Sequence, residues 1–264
     1  SRKASCIFSL GTNELTLRFS DSLPAAASLP SAQAYIIKPV QRIIFLRGNQ
    51  PVGDYYAVST LVQLLRPRSL LLESATVADY PDFEGRSVLM AAWNSPAEVK
   101  EDVANLEQMQ RWKLNKVYIG YGQPNVNWHT PTDVYRNGVS ATAAFCRKYD
   151  LMDLAVMVNP YYHLGYEQSV DSLPEATRIL WTHGDPYAIT ILKNVLKPAL
   201  DSGARCIMLA SDDYLPHEGT SPRNYSLYTP EDKARFVNLQ RAQAYVINEI
   251  YDWLKTDYPG TRME

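Results

Sequence analysis

The chain has 264 residues, 46% of them hydrophobic and 20% charged, a composition typical of globular proteins rather than of disordered or collagen-like chains. Its 26 basic and 28 acidic residues give a net charge of −2, without the basic excess that nucleic-acid-binding proteins use to neutralise phosphates. Its apolar runs are far shorter than the roughly 20 residues that span a bilayer. We therefore expect a globular protein whose partner is neither a nucleic acid nor a membrane.

The residues up to about 84 predict a small α+β domain. In chain order, the patterns predict two strands at Cys6–Leu10 and Glu14–Phe19, a hairpin formed by Ala34–Ile37 and Arg42–Leu46, and a helix at Gly53–Arg66 that Pro67 ends. The segment Val77–Phe83 predicts an extended linker, because a tyrosine precedes a proline within it. Strands followed by a helix that packs on one sheet face are typical of an α+β layer arrangement.

From Gly85 onward the sequence repeats a unit of apolar strand, loop and helix four times. The predicted strands are Val88–Trp93, Lys116–Tyr121, Leu154–Asn159 and Arg205–Ala210. Each is apolar along its length, as in a parallel sheet covered by helices. Helix starts are predicted at Ser95–Glu98, Asp185–Pro186 and Thr229–Asp232, with a further helix from about Thr130–Val139 to Tyr149. The last helix is expected to run from Pro230 to about Tyr258.

Four βα units make half of an eight-unit barrel, which takes roughly 250 residues when complete. We therefore predict two domains, an α+β domain at 1–84 and the first half of a (β/α)8 barrel at 85–264, with a complete doubly wound domain as the alternative. An open half-barrel exposes the edges of strands one and four, so we expect self-association or pairing with a missing second half-barrel.

Two adjacent carboxylates, Asp212 and Asp213, follow the fourth strand, at the end where barrel enzymes keep their active sites. Hydrolysis of a glycosidic bond needs one group that protonates the leaving oxygen and another that stabilises charge on the sugar. Two acids divide these roles when their environments separate their pKa values. The alternative is a structural pair whose carboxylates accept hydrogen bonds from loop amides.

Other chemistries find little support in the sequence. No Gly-x-Ser-x-Gly or phosphate-binding loop occurs, and we expect no cofactor. No metal-binding spacing occurs either, so we expect no metal, although a composite site remains an alternative because four histidines lie in predicted loops: His129, His163, His183 and His217. Free thiols are expected at the widely spaced Cys6, Cys146 and Cys206. No apolar run follows the basic first residues, so no signal peptide is recognised, but a mature protein would look the same. The compartment therefore stays open, with a periplasmic or secreted location slightly favoured.

Five stretches carry a more specific pattern: Tyr55–Leu65, Asp79–Arg86, Trp112–Tyr118, Cys206–Asp213 and Ala242–Tyr251. With the order of a small α+β domain and a βα repeat, they resemble the bacterial β-N-acetylglucosaminidases. The chain is most similar to glycoside hydrolase family 84, the O-GlcNAcase and hyaluronidase-like family. The resemblance implies a glycan substrate and hydrolysis of N-acetyl-hexosaminides.

The resemblance also implies a retaining, substrate-assisted mechanism, in which the acetamido oxygen of the substrate attacks the anomeric carbon and forms an oxazoline. Asp212 is then expected to orient the acetamido group, and Asp213 to act as general acid and afterwards as general base. Asp213 needs a raised pKa to hold a proton near neutral pH.

The candidate sugar-binding residues lie at the ends of the first three strands: Trp93, Asn94, Tyr121, Asn125, Asn159, Tyr161 and Tyr162. The family's strand-one motif, of Glu-Gly-Phe-Tyr-Gly type, is replaced here by Met90–Asn94, and its strand-two motif with a sugar-binding lysine is replaced by Gly120–Asn125. Two alternatives therefore stay open, a carbohydrate-binding pseudo-enzyme and a glycosidase of the same layout for another sugar, such as a hexuronic acid.

Overall fold

The computed structural model describes residues 5–10, 13–20, 29–41, 43–64, 76–90, 93, 95–121, 131–158, 186–210, 234–236 and 238–264. Contacts within the chain divide it into two compact units. The first unit comprises Ser1–Arg86 and Glu107–Asn115, and the second comprises Ser87–Leu106 and Lys116–Glu264.

The described residues of the first unit include a five-stranded sheet and the helix that packs on it. Its elements are β1 (Ser5–Leu10), β2 (Asn13–Phe19), β3 (Tyr35–Val40), β4 (Ile43–Gly48), α1 (Pro51–Leu64) and β5 (Val77–Asp79). The strand order is β1-β2-β4-β3-β5, and only the β2–β4 pair is parallel among these described strands. The predicted hairpin is confirmed by the antiparallel pairing of β3 with β4.

Alternate side chains of β3 and β4 are buried and form the core of this unit. Tyr35, Ile37, Ile44 and Leu46 are buried on one face of the sheet, where α1 contributes Tyr56, Ala57 and Leu61. The turn into α1 is tight: a Cβ added at Gly48 would lie 2.2 Å from the amide nitrogen of Asp54. Only glycine therefore fits at this approach of β4 to the helix.

The linker predicted at Val77–Phe83 is partly wrong. Its first three residues form β5, which pairs antiparallel with β3 through Tyr35 opposite Asp79. A three-residue strand is too short to show the alternation by which strands are recognised in a sequence. The extended step at Pro81 therefore follows a sheet strand rather than a free linker.

The second unit contains a parallel sheet and helices, as predicted from the apolar strands. Its elements are β6 (Ser87–Met90), α2 (Pro96–Arg111, of which the residues from Glu107 group with the first unit), β7 (Lys116–Tyr121), α3 (Asp133–Tyr149), β8 (Asp153–Val158), α4 (Pro186–Asp201), β9 (Cys206–Leu209), α5 (Leu239–Asp257) and β10 (Arg262–Met263). The strand order is β10-β9-β8-β7-β6, and every neighbouring pair is parallel. This mixed α/β architecture is compatible with part of a (β/α)8 barrel.

The fifth strand, β10, corrects the expectation that strand four lies at an open edge. Arg262 pairs with Cys206 and Met263 with Ile207, so β9 has a neighbour on both sides. The strand is only two residues long, and a segment this short has no recognisable strand pattern in the sequence.

Helix starts follow their capping residues. The capping box predicted at Ser95 is confirmed: its hydroxyl accepts a hydrogen bond from the Glu98 amide at 3.3 Å. The single helix expected from Pro230 is wrong, because α5 begins at Leu239 and Asn238 is extended, with its side chain accepting from the Arg241 amide. The start signal at Thr229–Asp232 predicted one long helix, whereas the asparagine N-cap at 238 starts α5 nine residues later than Pro230.

Both faces of the parallel sheet carry buried side chains. One face contains Val117, Ile119, Val156, Val158 and Ile207, and the other contains the cluster of Tyr118, Ala155 and Cys206. Helices α3 and α4 both pack against β8. Within the described residues, no helix is long and apolar enough to cross a bilayer.

Gly138 is required where α3 meets Trp93. A Cβ added at Gly138 would lie 2.2 Å from two atoms of the Trp93 ring. We expect Gly138→Ala to lower the free energy of unfolding by about 1–3 kcal/mol, because overpacking a filled core forces backbone or rings to shift. Urea unfolding measures this loss.

Gly85→Ala is the matched control, since a Cβ at Gly85 would meet nothing within 4 Å. Its unfolding midpoint should stay close to that of the unsubstituted protein. A Gly138→Ala protein as stable as this control would contradict the close packing of α3 on the indole.

Candidate active site

The described strands β8 and β9 end side by side. Val158, the last residue of β8, is paired with Leu209, the last residue of β9. One residue further, the Ala210 amide donates to the Val158 carbonyl at 2.9 Å. The segments that follow β8 and β9 therefore leave the sheet from the same edge, at neighbouring positions.

Most of the predicted site residues follow these strand ends. Asp212 and Asp213 come two and three residues after Ala210 and lie outside the described residues. Five further candidates also lie outside the described residues: Asn94, Asn125, Asn159, Tyr161 and Tyr162. Tyr121 ends β7, where its backbone pairs with Val158. The roles of these residues stay predictions.

Trp93 lies just after β6 and is 4% exposed. Its indole Nε1 donates to Asp102 Oδ2 at 2.9 Å, and its ring lies 6.5 Å from the ring of Tyr135, centroid to centroid. With Gly138 against its six-membered ring, the indole is held by α2 and α3. Its role in sugar binding stays a prediction.

A polar cluster on the sheet was missed in the sequence. Lys116 Nζ lies 3.0 Å from Glu264 Oε1, and the Tyr118 hydroxyl donates to Glu264 Oε2. Tyr118 also contacts Cys206, with 3.7 Å between Oη and Sγ. Lys116 and Tyr118 lie on β7, and Glu264 directly follows β10. The cluster therefore connects β7 with the end of β10, although β8 and β9 lie between these strands in the sheet. The signal available in the sequence was Lys116, a charged residue at the start of an apolar strand, which needs a polar partner.

Electrostatics in this cluster favour the ionised acid. The hydrogen bond from Tyr118, followed by that from Lys116, holds the pKa of Glu264 below its ordinary value. Burial, together with the hydrogen bond to Glu264, raises the pKa of Tyr118. Tyr118 is therefore a neutral hydrogen-bond donor to a carboxylate throughout the physiological pH range.

The described residues contain no group of three or more histidine, cysteine or acidic residues placed to hold a metal ion. All four histidines lie outside the described residues, so the alternative of a composite site stays untested. Cys146 and Cys206 are free and buried, as expected, and burial raises the pKa of Cys146 to about 12.

Solved structures of sugar-cleaving enzymes share this fold. A β-N-acetylhexosaminidase from Bacteroides fragilis superposes with a TM-score of 0.62 at 15% identity, over 90% of this chain and 53% of its own. A chitobiase from Flavobacterium johnsoniae, of family 20, superposes with a TM-score of 0.58 at 12% identity, over 88% of this chain and 39% of its own. A family 84 protein superposes with a TM-score of 0.51 at 16% identity, over 89% of this chain and 36% of its own.

The chain therefore has the fold of the β-N-acetylglucosaminidases, and the resemblance seen in the sequence is confirmed at that level. Family 20 and family 84 structures both match, so the fold does not separate the two families. No protein-family model and no characterised protein sequence matches the chain. The chain spans between 36% and 53% of the lengths of the three structures described.

The lowered pKa of Glu264 has a consequence for acid stability. A carboxylate whose folded pKa is depressed contributes stability above its unfolded pKa, and this contribution is lost as the pH falls through the folded value. We expect Glu264→Gln to be less stable than the unsubstituted protein at pH 7. The difference should shrink as the pH falls below the ordinary glutamate value of 4.5.

Urea unfolding at pH 7, 5 and 3.5 measures this difference. Glu101→Gln, which removes an exposed carboxylate from α2, is the control and should follow the unsubstituted protein at each pH. A stability difference for Glu264→Gln that stays constant over this range would contradict the charge-assisted hydrogen bonds in the cluster.

Proposed function

We propose that the chain is the part of a glycoside hydrolase that supplies its catalytic acids, and that the enzyme cleaves β-linked N-acetylhexosaminides. One observation carries the proposal: β8 and β9 end in register at one sheet edge, and Asp212 and Asp213 follow the end of β9 by three and four residues, in a fold shared with β-N-acetylhexosaminidases. Ligands of parallel α/β folds bind at this edge, beyond the carboxyl ends of the strands.

The base of the acid-bearing segment is fixed on both sides. The Ala210 amide is bonded to β8, and the Leu209 amide points to the carbonyl of Glu264 at 3.4 Å. Cys206 and Ile207, at the start of β9, are fully buried. Catalytic groups carried at the end of a rigid strand are held more accurately than groups on a free loop, which supports a catalytic role for the residues that follow.

The proposed reaction divides the work between the two acids and the substrate. Asp212 orients the acetamido group and accepts its amide proton, while the acetamido oxygen forms a bond to the anomeric carbon as the bond from that carbon to the leaving oxygen breaks. Asp213 gives its proton to the leaving oxygen. Asp213 then takes a proton from water, which attacks the anomeric carbon and opens the oxazoline, and Asp212 returns the proton to the nitrogen, which restores the acetamido group with retained configuration.

A sugar-binding protein without turnover is the second candidate. The absence of a lysine from Gly120–Asn125, where the resembling family places a sugar-binding lysine, favours it. A glycosidase for another sugar, such as a hexuronic acid, remains a third candidate with the same layout. The matching structures are longer than this chain, so the activity is a property to be tested on the complete gene product.

Substitution of the proposed acid tests the function. With an aryl N-acetylglucosaminide as substrate, we expect Asp213→Asn to lower kcat about 100-fold or more, because the leaving oxygen loses its proton donor. Asp212→Asn should also lower kcat, because it weakens the orientation of the acetamido group. Steady-state kinetics at pH 6 to 7 measures both effects.

Asp133→Asn is the control, since Asp133 lies on α3 with a side chain that is 91% exposed and has no part in the proposed reaction. Its kcat should match that of the unsubstituted enzyme. Unchanged turnover in Asp213→Asn would contradict the acid assignment. Glycan binding without turnover in the unsubstituted protein would instead establish the second candidate.

A further inference from the structure

A groove with polar walls runs between two helices of the second unit, α3 and α4. Its volume is about 510 Å³, within the range of about 300–1,000 Å³ that small-molecule sites occupy. Arg136 and Ser140 line the groove from α3, and Asn194, Lys197 and Asp201 line it from α4. The proposed catalytic reaction uses none of these residues.

The two helices that form the walls are fixed in place. Arg147, near the end of α3, donates from Nη1 to the carbonyl of Ser202, the residue after α4, at 2.8 Å. Val139 on α3 and Val195 on α4 are fully buried, and both helices pack against β8. A groove between two anchored helices exists before a ligand arrives, which lowers the entropy lost when the ligand binds.

A proline removes one helical hydrogen bond beside the groove. Pro198 lies inside α4 and lines the groove together with Asn194, Lys197 and Asp201. These residues are three or four positions apart, so they share one face of the helix. Because proline has no amide hydrogen, the Asn194 carbonyl does not receive the usual bond from position 198. The groove wall therefore offers a backbone acceptor in addition to its side chains.

Charge favours an anion in this groove. Its described lining residues include two cations and one carboxylate. The carboxylate, Asp201, already lies 3.3 Å from Lys197 Nζ and accepts from the Tyr258 hydroxyl at 2.6 Å. Arg136 lies 3.4 Å from Asp133, whose side chain is 91% exposed, and an exposed pair of this kind is weak. The Arg136 guanidinium is therefore the charged group of the groove that is most available to a ligand.

We propose that the groove between α3 and α4 binds a small organic oxyanion, a molecule with a carboxylate or phosphate group and a hydroxylated body. The planar guanidinium of Arg136 presents paired N–H donors that match two oxygens of such a group. The Ser140 hydroxyl, the Asn194 side-chain amide and the Asn194 carbonyl supply donors and acceptors for the hydroxyl groups. The choice of ligand rests on the groove and is independent of the proposed function.

Titration of the complete gene product with glucuronate, glucose 6-phosphate and glucose tests the proposal, with binding followed by ligand-observed NMR. The first two probes add a carboxylate or a phosphate to a sugar body, and glucose is the uncharged comparison. We expect at least one of the anions to bind and glucose not to bind. Arg136→Gln should weaken binding of the anion about tenfold, because a charge-assisted hydrogen-bonded pair is lost. Ser140→Leu keeps every charge but fills the groove, and should weaken binding at least as much.

Arg241→Gln is the matched control, because Arg241 is an exposed arginine near the start of α5 and its loss changes the net charge by the same amount. It should bind the anion as tightly as the parent protein. Asp213→Asn should also bind normally, since the groove is not the proposed catalytic site. Thermal unfolding of each variant checks that it is folded.

The outcomes separate this inference from the proposed function. Binding of glucuronate alone identifies a carboxylate ligand and binding of glucose 6-phosphate alone a phosphate ligand, and either result supports the groove even when the protein hydrolyses no substrate. Absence of binding by both anions overturns the proposal. So does an equal loss in Arg136→Gln and Arg241→Gln, which indicates an unspecific effect of charge. A loss in Asp213→Asn, with normal binding in Ser140→Leu, overturns it as well, because the anion then occupies the proposed catalytic site.

Discussion

Parallel strands that pair in register end at the same edge of their sheet, and the proposed position of the active site depends on this constraint. Val158 and Leu209 are paired as the last residues of β8 and β9, and the next amide along β9 is still bonded to β8. Whatever follows these strands starts from two points one strand spacing apart, about 5 Å. The proposal that the acids after β9 act together with the polar and aromatic residues after β8 rests on these two neighbouring strand ends.

The sheet has a second constraint in its charged cluster. The side chain of Lys116 is largely buried beside the buried Tyr118 and is costly to remove from water unless it finds a partner. The carboxylate of Glu264, which stays partly in contact with water, is that partner and also accepts from Tyr118. Because Glu264 follows the short strand β10 while Lys116 and Tyr118 lie on β7, the cluster ties β10 to the sheet by side chains as well as by two backbone pairs. This explains how a strand of two residues keeps its place.

Much of the second unit could be predicted from its sequence. The apolar strands and the capping residue Ser95 are local signals, and the structure confirms the parallel sheet and the start of α2. Features that depend on distant partners were missed: β5 exists because β3 offers it an edge, and Glu264 matters because Lys116 and Tyr118 face it. Of the candidate sugar-binding residues, Trp93 is described as packed between α2 and α3, a contact that depends on Gly138, 45 positions further along the chain.

The central claim is that Asp212 and Asp213 open onto a sugar site beyond β8 and β9. A crystal structure of the complete gene product with a thiazoline derived from N-acetylglucosamine, a mimic of the oxazoline, tests it most directly. The account predicts the Asp212 carboxylate within hydrogen-bond distance of the thiazoline nitrogen, and Asp213 beside the position of the leaving oxygen. A ligand bound elsewhere, with both carboxylates accepting hydrogen bonds from loop amides, would contradict it.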